Sequence, residues 1–118
     1  MKFNDTYFLN NFHKARFQDA ARRNGQIYQD TRWLVTAYLF TSTPEMTQMT
    51  AGALTGGDID FKAIEESRSL NAQETILVRF AANYFAPEKY AGPSVSELIN
   101  GLSGEYYTVM VNVFKMFV

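Results

Sequence analysis

The chain has 118 residues, no cysteine and a formal net charge of −1; 47% of its side chains are hydrophobic and 15% aromatic, including ten Phe and seven Tyr. One domain is expected at this length. The missing cysteine excludes disulfides, thiolate metal sites and thiol catalysis, and the apolar content excludes a disordered chain.

Asn4 or Asp5 is expected to cap a first helix running to about Arg23, where Asn24-Gly25 stops it. Phe8, Phe12 and Ala15 take one side, and Phe3, Tyr7, Phe17 and Ala21 another. Such a helix either breaks near Asn10-Asn11 or touches two partners. A second helix is expected over about 28–41, and its "WLVTAYLF" is apolar almost all round, as a central helix must be. Thr43-Pro44 supplies a cap and a first-position proline for a short helix to about Thr50.

"TGGDIDFKAIEES" (55–67) pairs a glycine breaker with four acidic side chains. A calcium loop counted from Asp58 would need an oxygen ligand at position 5, glycine at 6 and glutamate at 12; Lys62, Ala63 and Ser69 stand there. Asp58 or Asp60 is better read as an N-cap, because the helix N-terminus is partly positive. Asn71 with Glu74 forms a candidate capping box for a helix over about 72–86, with Ile76, Leu77, Phe80, Ala81 and Tyr84 on one face and Pro87 ending it. Ser94 with Glu97 forms a second, for a short helix through Asn100. The last helix, about 104–118, carries one polar strip of Glu105, Thr108, Asn112 and Lys115 and is otherwise apolar, so cover on several sides is expected. The sum is an all-α single domain of six or seven mostly short helices over residues 1–118, with central helices at about 28–41, 72–86 and 104–118.

The segments "DTRWLVTAYLFT", "DIDFKAIEESRSLNAQETILVRFAANYF" and "SELINGLSGEYYTVMVNVFK" together resemble a family of small uncharacterised helical domains from Gram-positive bacteria, their phages and mobile elements. Asp30 and Arg32 match its Asp-x-Arg, Val78 to Phe85 its second helical element and Ser94 to Lys115 its third, over about residues 28–115. "SRSLNAQE" stands where the family shows a Trp-Gln-Thr element, and the ending "KMFV" lacks its basic tail residue. The resemblance implies a helical fold and a mobile-element setting, and it transfers no catalytic residue.

No catalytic residue, cofactor or metal site is expected. His13, the single histidine, has no motif around it. Adjacent Glu65 and Glu66 diverge on a helix by about 100°, and no phosphate-binding or nucleophile-elbow motif occurs. Arg32 and Arg79 are expected to pair with carboxylates at the edge of the core. Charge is uneven: residues 1–33 carry six basic against three acidic side chains, and residues 34–67 one against five. A nucleic-acid binder would be basic overall.

Two interaction surfaces remain. One is the acidic segment with Asp58, Asp60, Glu65 and Glu66; the other is the last helix with Tyr106, Tyr107, Met110, Phe114 and Phe117, since aromatics and Met are enriched at interfaces. The leading expectation is a non-enzymatic protein-interaction module, with an unknown protein partner or a second copy as its target. In the setting the resemblance implies, an inhibitor or modulator of a host defence protein is one version. Binding of nucleic acid through Lys14, Arg16, Arg22 and Arg23 on the first helix stands second, and a carboxylate enzyme third. Residues 1–20 lack the apolar run of a signal peptide and nothing approaches a membrane span, so a cytoplasmic location is expected.

Overall fold

Local capping chemistry decides where most of the helices begin. The computed structural model describes residues 2–67 and 69–118; Met1, and Arg68 within the divergent "SRSLNAQE" stretch, lie outside them. Among the described residues there are seven α-helices and no strand: α1 Asn11–Arg23, α2 Thr31–Phe40, α3 Pro44–Met49, α4 Phe61–Glu65, α5 Ala72–Phe85, α6 Val95–Asn100 and α7 Gly104–Met116. They form one globule of 32 × 28 × 26 Å.

The expected first helix is two elements. Asn4 caps a single 3-10 turn, Asp5–Tyr7, and Asn10 restarts the chain by accepting the His13 N–H at 2.8 Å. Two asparagines that each satisfy orphan donors make the break at Phe8–Asn10 cheaper than continuing. The break folds Phe3 and Phe8 back onto Phe17 and Tyr38. Residues 25–28 form a further 3-10 turn, so α2 starts at Thr31, later than expected, where the Asp30 carboxylate accepts the Arg32 N–H at 2.9 Å.

Every residue of α2 from Trp33 to Phe40 is buried. This rod lies in the middle, packed most extensively on α5 and touching α1, α3 and α7. Thr43 and Pro44 open α3 as expected, with the Thr43 hydroxyl accepting the Met46 N–H. Of the two candidate aspartates before α4, Asp60 is the cap, at 3.0 Å from the Ala63 nitrogen, and Asp58 is not. Gly56 and Gly57 both take φ near +90°, which L side chains rarely adopt, and so bring the chain into that cap. Phe61 then drives α4 into the core between Phe40, Phe85 and Tyr90.

Both capping boxes form in full. On α5, Asn71 accepts the Glu74 N–H and Glu74 accepts the Asn71 N–H, each at 2.8 Å. Asn71→Ala is expected to lower stability by about 1 kcal/mol, read as a reduced urea midpoint at unchanged slope. Glu97 of the α6 box is shared with Arg79, whose Nη1 reaches it at 2.8 Å while Glu65 lies 3.8 Å from Nε. This is the core-edge pairing expected for Arg79. Arg32 pairs with Asp30 at 2.8 Å, on the surface and not at the core edge, and lies over the Phe85 ring. Gly101 lets α6 close on α5: a Cβ there would meet the Glu97 carbonyl oxygen and the Ile76 Cδ1, each at 2.6 Å.

The last helix departs from expectation. Val109, Met110, Val113 and Met116 are buried, but Tyr107, Phe114 and Phe117 are not covered. Asn112 leaves the polar strip to bond the Tyr7 carbonyl and the Tyr38 hydroxyl. α7 is therefore buried along one side only.

Candidate functional site

The basic residues of α1 are engaged within the chain. Lys14 pairs with Asp5 at 2.7 Å, and Asp19 holds both Arg22 at 3.2 Å and Arg23 at 2.7 Å. Arg16 donates through Nε to the Thr41 carbonyl at 2.9 Å and through Nη2 to the Ser42 carbonyl at 3.0 Å. A phosphate would have to compete with a carboxylate for each cation but Arg16. Arg16 and Arg23 do share one side of α1, where they line a common cavity.

The acidic segment does not converge. Asp58, Asp60, Glu65 and Glu66 are all exposed; Asp60 caps α4 and Glu65 faces Arg79. Asp58 opens onto a cleft that also holds Arg32, Glu88 and Lys89, where charges of both signs meet. Among the described residues no three acidic or histidine side chains are placed to hold a metal ion. Helix α4 itself carries only Glu65 of these carboxylates, with Asp60 at its N-cap and Glu66 at its C-cap.

His13 is fully buried. Its Nδ1 accepts the Leu9 N–H at 3.2 Å, which fixes the remaining proton on Nε2, and Nε2–H donates to the Tyr38 carbonyl at 2.9 Å. Burial, followed by the Arg16 charge and against the Tyr38 bond, lowers its pKa to about 4. The ring is a neutral tie between the N-terminal segment and α2, with no substrate-accessible face.

The aromatic residues of α7 divide into two sets. Met110 is core, a correction to its expected place on the surface, because its position on the helix turns it toward α5 and α2. Tyr106 is half-buried and donates to the Glu74 carboxylate at 3.1 Å, and burial raises its pKa. Tyr107, Phe114 and Phe117 remain 48%, 51% and 44% exposed. Tyr107 and Phe114 stand two turns apart on one stripe, about 10 Å along the axis, with half-buried Val111 between them. Phe114 is anchored edge-on to Phe80 of α5 at 5.8 Å, and Phe117 packs on Tyr84 at 6.0 Å. Phe114 and Phe117 are thus each held by a ring of α5.

Two features escaped the sequence reading. The Tyr7–Tyr38–Asn112 network joins groups up to 105 positions apart, and the Glu74–Tyr106 bond joins a capping residue to another helix. Neither leaves a local signal. Among the described residues no helix is long and apolar enough to cross a membrane. No protein-family model, curated protein or solved structure matches the chain.

Proposed function

We propose that the chain is a non-enzymatic protein-interaction module whose contact face is the aromatic stripe of α7, backed by Phe80 and Tyr84 of α5. The observation that supports this is the exposure of Tyr107, Phe114 and Phe117 on a helix whose Val109, Met110, Val113 and Met116 are buried. Phe114 and Phe117, held in place by the rings beneath them, lose little rotamer freedom on binding, which favours them as interface anchors. The resemblance to helical domains of phages and mobile elements supplies the setting. There the partner is a host protein, with inhibition of a defence component as the concrete version. The exposed acidic side chains Asp58, Glu65 and Glu66 would then steer the approach of a basic target.

The test is a Tyr107→Glu, Phe114→Glu double variant. Both side chains face solvent, so helicity and thermal midpoint should stay near those of the parent chain. A partner retained by the parent on a column of native host extract should be lost, because each desolvated aromatic anchor is worth roughly 2 kcal/mol, or about 30-fold in affinity. A partner retained equally by both forms would overturn the reading. Sedimentation of the parent at high concentration separates a second copy from a foreign partner.

A further inference from the structure

We propose that the half-open cavity between α1 and the α2–α3 junction is a binding site for a small organic monocarboxylate, held by Arg16. The cavity measures about 140 Å³. That is close to the roughly 150 Å³ that elsewhere suffices to take up a benzene ring, so the guest has a compact body of a few carbon atoms. Ala20, Phe40 and Leu54 give it apolar walls.

The polar groups narrow the chemistry. Thr47 and Thr50 line the cavity, but their hydroxyl protons go to the Thr43 and Met46 carbonyls, so they are not available as donors to a guest. Arg23 and Asp19 also line it, paired with each other at 2.7 Å, so that neither offers a free charge to a guest. Arg16 differs. Among the described residues no carboxylate lies within ion-pair distance of it, and it spends N–H groups only on two backbone carbonyls. Burial lowers its pKa, and the opposing pull of Glu105 and Glu45 comes from a second cleft that Arg16 also lines. One guanidinium fork with donors to spare, set against an apolar wall, fits a carboxylate on a short hydrophobic body. A phosphate dianion would need a second uncompensated cation, and Arg23 does not supply one.

The probe is benzoate, with benzamide as its uncharged isostere, followed by backbone amide shifts at constant ionic strength. Benzoate should produce saturable shifts at Arg16, Thr41 and residues 47–55, and benzamide should bind at least about tenfold more weakly, since a hydrogen bond to a charged partner is worth more than a neutral one. Arg16→Gln should remove the preference for the anion. Because Arg16 also ties α1 to the α2–α3 junction, Ala51→Phe serves as a second variant: Ala51 is an exposed turn residue on the cavity rim, and a ring there should fill the cavity and abolish benzoate binding with Arg16 untouched. Absence of saturable shifts, equal binding of benzamide, or unchanged benzoate binding in Ala51→Phe would each overturn the proposal.

Discussion

Tyr38→Ala is expected to lower the unfolding free energy by about 4–5 kcal/mol, at the upper end of large-to-small core substitutions. Tyr38 is fully buried on α2. Its ring lies 4.7 Å from that of His13, 6.1 Å from Phe8 and 6.4 Å from Phe3. Its hydroxyl donates to the Tyr7 carbonyl at 2.5 Å and accepts from Asn112 at 3.3 Å. Burial, partly offset by the Asn112 bond, pushes the hydroxyl pKa up to about 12, so it remains a neutral donor across the working range. Truncation therefore opens a cavity and also removes the clamp that joins the N-terminal segment to α2 and α7. Tyr38→Phe separates the two contributions. The cavity stays filled and the Tyr7 carbonyl keeps its bond from Asn112 at 2.9 Å, so the loss should be only about 1–2 kcal/mol. Since a domain of this kind has about 5–15 kcal/mol in total, the alanine variant should also expose the 8–10 junction to proteases at ambient temperature. An alanine loss below that of the phenylalanine variant would mean that the ring carries no packing energy.

Helix boundaries were legible in the sequence at three caps, but not at Asn10 and Asp30, which set the starts of α1 and α2. Thr43-Pro44, Asn71 with Glu74, and Ser94 with Glu97 each satisfy donors three residues away, so the chemistry lies within one turn. The burial of α2 was legible too, because a helix apolar on every side has no exposed solution short of an interface. α7 shows the limit of that argument. Its composition resembles that of α2, but α2 is surrounded while α7 is packed along one side, and which side depends on α5 and the N-terminal segment. Met110 and Phe114 are equally apolar and four residues apart, but one is core and the other exposed. Arg79 was legible as a core-edge cation, whereas its partner Glu97, 18 positions away, was not. The cavity beside Arg16 is assembled from α1, the end of α2, α3 and the 50–55 turn, and its walls share no local pattern.

Acidification should destabilise the fold well before its carboxylates titrate, and His13 is the reason. Its pKa is lowered from 6.5 to about 4 in the folded chain. Above the unfolded value both states hold the neutral ring and the residue contributes no pH dependence. Between 6.5 and about 4 the unfolded chain takes up a proton that the folded chain refuses, so stability falls with decreasing pH and levels off below the folded value. The full loss is about 3 kcal/mol, of which roughly 2 kcal/mol should appear between pH 7 and pH 5. The structural cause lies at Nδ1. A protonated ring presents two donors, so the Leu9 N–H at 3.2 Å loses its acceptor and faces another N–H, while the Tyr38 carbonyl keeps its bond. Residues 4–10 should therefore loosen first, with hydrogen exchange at Leu9 rising before that of α2. The half-buried carboxylates with depressed pKa, Asp30 through its bonds with Arg32 and Glu97 through the Ser94 N–H, act in the opposite part of the range, losing their contribution only as pH falls below the ordinary carboxylate value. Urea unfolding of the parent and of His13→Gln at several pH values isolates the histidine. The variant should be less stable at pH 7 but nearly flat between pH 7 and 5, and a slope equal to the parent's would remove His13 as its source.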